Sequence, residues 1–194
     1  MNHTPQCWGN PGRARSSFGV NTPLRYVAAM IEIGQKIPEA TLWESLEFGE
    51  ACPLSPKPVS VAEATKGKRI VIFALPGAYT PTCSARHVPG YVAHFEQLKS
   101  KRVDEIWCVS VNDGYVMAAW GKDEKALGKV RMLGDGSAEF TKALGLDRDL
   151  SKDGMGIRSK RYSMLVEDGV VKKLNVEQPG KFEVSNAETM LGQL

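Results

Sequence analysis

The chain has few of the residues that build metal centres or disulfide frameworks. Its 194 residues include three histidines and four cysteines, and no two cysteines form a C-x-x-C pair. A zinc ribbon and a dithiol redox motif are therefore both unsupported, and we expect no bound metal or cofactor. Cysteines without a pairing pattern are typical of a reducing compartment, so we predict a cytoplasmic protein.

Long apolar runs and a surplus of one charge are also missing. No run approaches the ~20 residues that a membrane-spanning helix requires, so we expect no membrane partner. The formal net charge of +3 comes from three arginines that precede residue 30, because 22 basic and 22 acidic residues follow. This balance gives no electrostatic reason to expect a nucleic acid as a partner.

The first 29 residues differ in composition from the rest of the chain. They are rich in Asn, Pro, Gly, Ser and Arg and contain no acid, so we predict a disordered extension over 1–29 and one domain over 30–194. Two origins of the extension stay open. Its composition is typical of a transit peptide, whereas Met30 followed by Ile-Glu-Ile-Gly favours an upstream start codon assigned in error.

The pattern beyond residue 30 predicts an α/β domain with a central mixed sheet flanked by helices. Continuous apolar strands that alternate with helices indicate a sheet covered on both faces. Strands are predicted at 40–43, 69–75, 104–111, 130–133, 161–167 and 170–176, the last two joined by the hairpin turn Asp168-Gly169. Helices are predicted at 60–66, 83–101 with a break at Pro89-Gly90, 113–121, 138–144 and from 186 to the C-terminus, and 52–58 is predicted to be a Pro-rich loop.

The most informative segment is 76–83, with the sequence Pro-Gly-Ala-Tyr-Thr-Pro-Thr-Cys. It follows the apolar run 69–75 and precedes a helical pattern, so it is predicted to lead from a strand into a helix. Thr80 suits the N-cap of that helix. Pro81 suits the first helical position, where its missing N–H costs no hydrogen bond.

Cys83 then falls in the first turn of the predicted helix. Unpaired backbone N–H groups and the positive end of the helix dipole favour a thiolate there. The neighbours Thr82 and Ser84 predict polar surroundings, which favour a reactive nucleophile. The alternative is a buried cysteine that only fills the core.

The order P-x-x-x-T-x-x-C resembles the active-site loop of the peroxiredoxins. The longer string 76–84, together with His-Val-Pro-Gly at 87–90, is similar to the type II (peroxiredoxin-five) branch. The resemblance covers about residues 30 to 194 and implies a thioredoxin-like fold. Further motifs that carry it are Val109-Ser110-Val111-Asn112-Asp113, Gly134-Asp135-Gly136-Ser137 and Arg161-Tyr162-Ser163-Met164.

The resemblance implies roles for four residues. Cys83 would be the peroxidatic nucleophile, and charge that develops on the leaving oxygen would need donors already in position. Thr80, Arg161 and the backbone amides around 79–83 would supply those donors, and Pro76 would shield the site. Arg158 could also reach a pocket, but only Arg161 fits the Arg-Tyr-Ser-Met pattern.

The implied function is a thiol-specific peroxidase in antioxidant defence that reduces hydrogen peroxide and alkyl hydroperoxides. Glutathione or glutaredoxin would reduce the sulfenic acid formed on Cys83, with thioredoxin a weaker candidate, and the protein would be a homodimer. An alternative function is a redox-sensing relay that passes oxidation from Cys83 to partner thiols. The presence of Thr80 and Arg161 together with Cys83 favours the peroxidase, because a reporter thiol has less need of leaving-group stabilisation.

Four other residues near these motifs are given no role in the reaction. Arg86 is interpreted as a solvated surface charge, and His87 as a residue that packs beneath the loop instead of serving as a general base. Cys108 matches a second cysteine of plant-like members, but its central strand favours a core residue over a resolving one. Cys52 lies in a predicted flexible loop.

Overall fold

The computed structural model describes residues 29–50 and 52–194. Within them the strands are β1 Thr41–Glu44, β2 Lys57–Ser60, β3 Arg69–Ala74, β4 Glu105–Ser110, β5 Arg131–Gly134, β6 Asp147–Leu150, β7 Gly156–Ser159, β8 Tyr162–Glu167 and β9 Val170–Val176. Seven of them form one sheet in the order β2-β1-β5-β4-β3-β8-β9, and β6 pairs with β7 separately. The sheet is mixed, because β3, β4 and β5 are parallel whereas β8 runs antiparallel to β3 and β9.

Short helices connect the strands and cover the sheet. They are α1 Val61–Thr65, α2 Val88–Ala93, α3 Phe95–Ser100, α4 Gly114–Asp123, α5 Glu139–Ala143 and α6 Ala187–Gln193. A π-helical turn, Cys83–His87, precedes α2. No helix of the described ranges 29–50 and 52–194 has both the length and the apolar character that crossing a membrane requires.

Both faces of the sheet are buried, as the continuous apolar strands predict. On β3, Val71 and Phe73 belong to one apolar cluster, whereas Ile70 and Ile72 belong to the other. Alternate side chains of a strand point to opposite faces, so a strand covered on both sides is apolar throughout. The first cluster also contains Cys83, which places this residue between the central sheet and the helices on that side.

Most of the predicted elements are confirmed, with bounds that differ by one or two residues. Residues 52–58 are not all loop, because β2 begins at Lys57 and pairs with β1. The β6–β7 pair was not predicted, because its strands carry charged residues without a clear alternation. Residues 1–28 of the predicted extension 1–29 lie outside the described residues.

The helix break predicted at Pro89-Gly90 is wrong. Both residues lie in the first turn of α2, and the break falls at His94, between α2 and α3. A proline cannot donate to the carbonyl four residues before it, and its ring collides with that carbonyl in a regular helix. The turn before Pro89 is wider, since the Val88 N–H donates to the carbonyl of Cys83, five residues back. This widening accommodates Pro89 without ending the helix there.

Candidate active site

Cys83 lies where the chain passes from the carboxyl end of β3 into a helix. Pro81 and Thr82 are helical and lead into the π-helical turn that Cys83 begins. The Ser84 N–H donates to the carbonyl of Thr80 at 3.0 Å, so Thr80 occupies the N-cap position, as predicted. Its hydroxyl donates to the carbonyl of Gly77 at 2.9 Å instead of accepting from a backbone N–H of the helix.

A side chain from the next strand connection holds the loop that precedes Cys83. The Asn112 Oδ1 accepts hydrogen bonds from the Ala78 N–H at 3.0 Å and from the Ser110 hydroxyl at 2.7 Å. Gly134 on β5 allows the backbone at Asn112 to pack directly against it, because a Cβ at Gly134 would lie 2.7 Å from the Asn112 carbonyl oxygen. The sequence analysis assigned no role to Asn112, although the motif at 109–113 contains it.

Arg161 brings a positive charge to Cys83 from the start of the strand next to β3. It directly precedes β8, which pairs with β3, and its Nη2 donates to the Cys83 Sγ at 3.4 Å. The Nη1 of the same guanidinium lies 3.0 Å from the His87 Nδ1. Arginine is always charged and its donors form a rigid fork, so one side chain can contact both partners. Seventy-eight residues of sequence separate Arg161 from Cys83.

His87 is a neutral acceptor for Arg161. Burial and, to a smaller extent, the nearby charge of Arg161 together lower the pKa of His87 from 6.5 to about 3, against a smaller opposing effect of the Ser185 carbonyl. Because arginine can only donate, Nδ1 accepts and the proton resides on Nε2, which lies 3.1 Å from the Ser185 carbonyl oxygen. The predicted packing role is confirmed, since the ring is buried 4.9 Å from the ring of Phe182.

The segment that supplies Ser185 and Phe182 is held by one carboxylate. The Glu177 Oε1 accepts from the backbone N–H groups of Glu183, Val184 and Ser185 at 2.7 to 2.8 Å, and from the Ser185 hydroxyl at 2.9 Å. Burial raises the pKa of Glu177, but these hydrogen bonds outweigh burial and lower the pKa overall. Glu177 therefore stays ionised and fixes the carbonyl against which His87 is oriented.

The other arginines near the loop have different contacts. Arg158 donates from Nη1 to the carbonyls of Val111 at 3.2 Å and Pro76 at 3.5 Å, so it ties the loop to the sheet and does not contact the sulfur. Arg86 is exposed, as expected, and its guanidinium lies 4.8 Å from the centre of the Phe182 ring. Arg161 is therefore the arginine that the structure brings to Cys83.

The polar surroundings predicted for Cys83 are wrong in part. The residue is 0 % exposed and belongs to an apolar cluster that includes Leu75 and Val88. Successive helical residues point about 100° apart, so polar neighbours in sequence need not surround a side chain in space. Ser84, for example, accepts a hydrogen bond from the Trp120 Nε1 at 2.8 Å.

A cavity of about 680 Å³ opens beside the site. Pro76, Thr82 and Arg161 are part of its wall, and Lys160 and Arg148 also line it. We call this the Arg161 cavity. Arg161 lines the cavity and also contacts the buried sulfur, so its guanidinium connects the two.

The remaining described cysteines are not part of the arrangement around Arg161. Cys108 lies on β4 opposite Phe73 and is fully buried, as expected of a core residue. Burial raises the pKa of the Cys108 thiol, and the nearby Cys83 raises it further. Cys52 is exposed. Cys7 lies outside the described residues.

Comparisons with known proteins agree on one family. The redoxin family model matches residues 32–191. The chloroplastic peroxiredoxin-2E of Arabidopsis thaliana is 46% identical over 187 residues, which cover 95% of this chain and 77% of that protein. Prx3 of Vibrio vulnificus, solved in its reduced form in complex with hydrogen peroxide, is 50% identical with a TM-score of 0.78 and covers 84% of this chain and 99% of its own.

The crystal structure of a Burkholderia cenocepacia protein described as a thioredoxin reductase is also similar. It is 59% identical with a TM-score of 0.82, and the match covers 86% of this chain and 99% of that one. In the present chain Ser-Ala-Arg follows Cys83, so the second cysteine of a C-x-x-C dithiol is missing. The chain belongs to the redoxin family and, within it, to the type II peroxiredoxins, which makes it a thiol peroxidase with an antioxidant function.

Proposed function

We propose that Cys83 is the peroxidatic cysteine of this peroxidase and that Arg161 is the main group that stabilises its reaction. The observation that carries the proposal is the 3.4 Å contact between the Arg161 Nη2 and the Cys83 Sγ. A guanidinium at that distance stabilises a sulfur anion in a buried setting where water cannot do so. The same group can donate to a peroxide oxygen that enters from the Arg161 cavity.

The reaction at Cys83 is a two-electron displacement. The thiolate attacks one oxygen of the hydroperoxide, so an S–O bond forms and the O–O bond breaks. The sulfur is oxidised to a sulfenic acid, and the other oxygen leaves as hydroxide or alkoxide and takes up a proton to give water or an alcohol. Negative charge therefore moves from sulfur to the leaving oxygen, and fixed donors near both atoms lower the barrier.

Thr80 and Pro76 have supporting roles in the proposal. The resemblance implies a donor role for the Thr80 hydroxyl, but its hydrogen is directed to the Gly77 carbonyl, so we propose instead that its oxygen accepts a hydrogen bond from a peroxide O–H. Pro76 lines the Arg161 cavity, where its ring limits the access of water to the sulfur. Hydrogen peroxide and small alkyl hydroperoxides are the proposed substrates.

A thiol from outside the chain is the proposed reductant of the sulfenic acid. Cys108 is buried in the central sheet, and Cys52 lies outside the motifs that carry the family resemblance, so neither is proposed as a resolving cysteine. Glutathione, directly or through glutaredoxin, is preferred and thioredoxin is a weaker candidate. We also propose a homodimer in the cytoplasm, and sedimentation that finds only monomer at micromolar concentration would remove the dimer from the proposal.

The experiment is a comparison of turnover in wild type, Cys83→Ser and Cys52→Ser. Peroxide consumption with dithiothreitol as reductant should continue over many cycles in wild type and Cys52→Ser and stop in Cys83→Ser. A single oxidation of Cys83 that is passed to a partner thiol without turnover would instead support the redox relay. Unchanged turnover in Cys83→Ser would overturn the assignment of the nucleophile.

A further inference from the structure

We propose that Arg148 and Lys160 form a carboxylate-binding subsite in the Arg161 cavity. The inference rests on the proposed function, because the subsite would hold a co-substrate that reacts at Cys83. Arg148 lies on β6 and Lys160 follows β7, so the strand pair that the sequence did not predict carries both cations to one wall.

Neither cation forms an ion pair with an acid among the described residues. The ion pairs of the described part of the chain involve other cations, and the Lys160 Nζ has only a 3.4 Å hydrogen bond to the Gly145 carbonyl. Arg148 is exposed and is paired across the ladder with another cation, Arg158. Two like charges at opposed strand positions repel each other, which an anion between or beside them would relieve.

The acid that lines the cavity does not cancel this charge. The Glu177 Oε1 already accepts three backbone N–H bonds and one hydroxyl bond, which spread its charge into the segment 183–185. Lys181, a further cation of the wall, pairs with Glu183 at 3.1 Å. Arg148 and Lys160 are therefore available to bind an anion, while Arg161 contacts the sulfur.

The size of the cavity also points to a ligand larger than a peroxide. Its volume of about 680 Å³ is in the range of pockets that hold organic molecules of several tens of atoms. Hydrogen peroxide is small and neutral, so it needs neither this volume nor two cations. A molecule with a reactive thiol or hydroperoxide at one end and a carboxylate at the other could contact these cations and direct its reactive end to Cys83.

A thiol held in this way would react in two steps. Its thiolate attacks the sulfenic sulfur of Cys83, the S–S bond forms, the S–O bond breaks, and the hydroxide that leaves takes a proton to become water. A second thiolate attacks the mixed disulfide and releases the Cys83 thiolate and the disulfide of the reductant. Two reductant thiols are oxidised for each sulfenic acid reduced. The carboxylate contact positions the first thiol for its attack.

The test compares Arg148→Gln/Lys160→Gln with the control Lys66→Gln/Lys172→Gln, which removes two exposed charges elsewhere on the surface. Reduction of the sulfenic acid is followed with glutathione, which carries two carboxylates, and with cysteamine, which carries none. Two partly exposed ion pairs are each worth a few-fold in affinity, so the rate constant for glutathione should fall by about 3- to 10-fold. The rate constants for cysteamine and for hydrogen peroxide should not fall, and the control should match wild type throughout.

A carboxylate on the hydroperoxide is the second source of the same chemistry. A fatty-acid hydroperoxide and its methyl ester distinguish it, because a loss confined to the free acid in the oxidation step would assign the subsite to the peroxide substrate. The subsite would be overturned if the double variant and wild type had the same rate constant for each of the two thiols and each of the two hydroperoxides. Turnover of wild type with dithiothreitol separates that result from a failure of the peroxidase proposal.

Discussion

Replacing Arg161 with glutamine should slow the reaction with peroxide more than any other single change outside Cys83. The substitution removes the donor 3.4 Å from the sulfur and the donor 3.0 Å from the His87 Nδ1. Loss of one preorganised donor to developing charge costs about 2.7–4 kcal/mol, which is a factor of about 10² to 10³ in rate. Arg161→Lys keeps the charge but lacks the planar fork whose two nitrogens make the two contacts, so it should give an intermediate loss.

The assay is stopped-flow tryptophan fluorescence with excess hydrogen peroxide. The Trp120 Nε1 donates to the Ser84 hydroxyl, next to Cys83, so its emission is a natural reporter. Arg86→Gln is the matched control, since it removes the same charge from beside Phe182 without a contact to the sulfur. The reasoning is refuted if Arg161→Gln reacts at the wild-type rate, or if Arg86→Gln loses as much as Arg161→Gln.

Three further predictions concern the surroundings of the site. Cys108→Ser should retain glutathione-supported turnover, measured by peroxide consumption, because the residue is proposed to fill the core and not to resolve Cys83. Lowering the pH from 7 to 5 should decrease the free energy of unfolding by about 2 kcal/mol through His87. Its pKa falls from 6.5 to about 3 on folding, so between these values the unfolded state takes up a proton that the folded state does not, and stability decreases as the pH falls. Urea denaturation should detect this slope in wild type but not in His87→Gln. Gly134→Ala should destabilise the protein by about 1–3 kcal/mol and slow Cys83, because the new Cβ would lie 2.7 Å from backbone that positions Asn112.

Each of these predictions has an outcome that contradicts it. Loss of turnover in folded Cys108→Ser would make that residue the resolving cysteine. Equal pH slopes in wild type and His87→Gln would mean that the imidazole is not kept neutral. For Gly134, the control is Gly192→Ala, whose Cβ would meet no atom within 4 Å, and equal unfolding midpoints in the two variants would contradict the close approach.

The sequence predicted the parts of the fold that depend on local pattern. The continuous apolar runs of β3 and β4 identify buried central strands, and the Asp168-Gly169 turn identifies the β8–β9 hairpin. The pair β6–β7 was missed because a strand such as Asp-Arg-Asp-Leu has no apolar alternation. Its pairing partner, and not its own composition, decides its conformation.

The site was predictable only where it is local in sequence. Thr80 and Cys83 share one loop, whereas Arg161 entered through family resemblance and its position depends on the pairing of β3 with β8. The chain from Glu177 through Ser185 to His87 could not be predicted, because each link joins residues that only the tertiary fold brings together. The complete burial of Cys83 was missed for the same reason.

The most direct test of the central claim is the second-order rate constant of Cys83 with hydrogen peroxide. It should be measured in Cys52→Ser/Cys108→Ser by stopped flow, with the oxidised residue located by sulfenic-acid labelling and peptide mapping. We predict a rate constant orders of magnitude above that of a free thiol and a label on Cys83. A rate constant equal to that of a free thiol would contradict the claim that a buried sulfur beside a guanidinium is the reactive group.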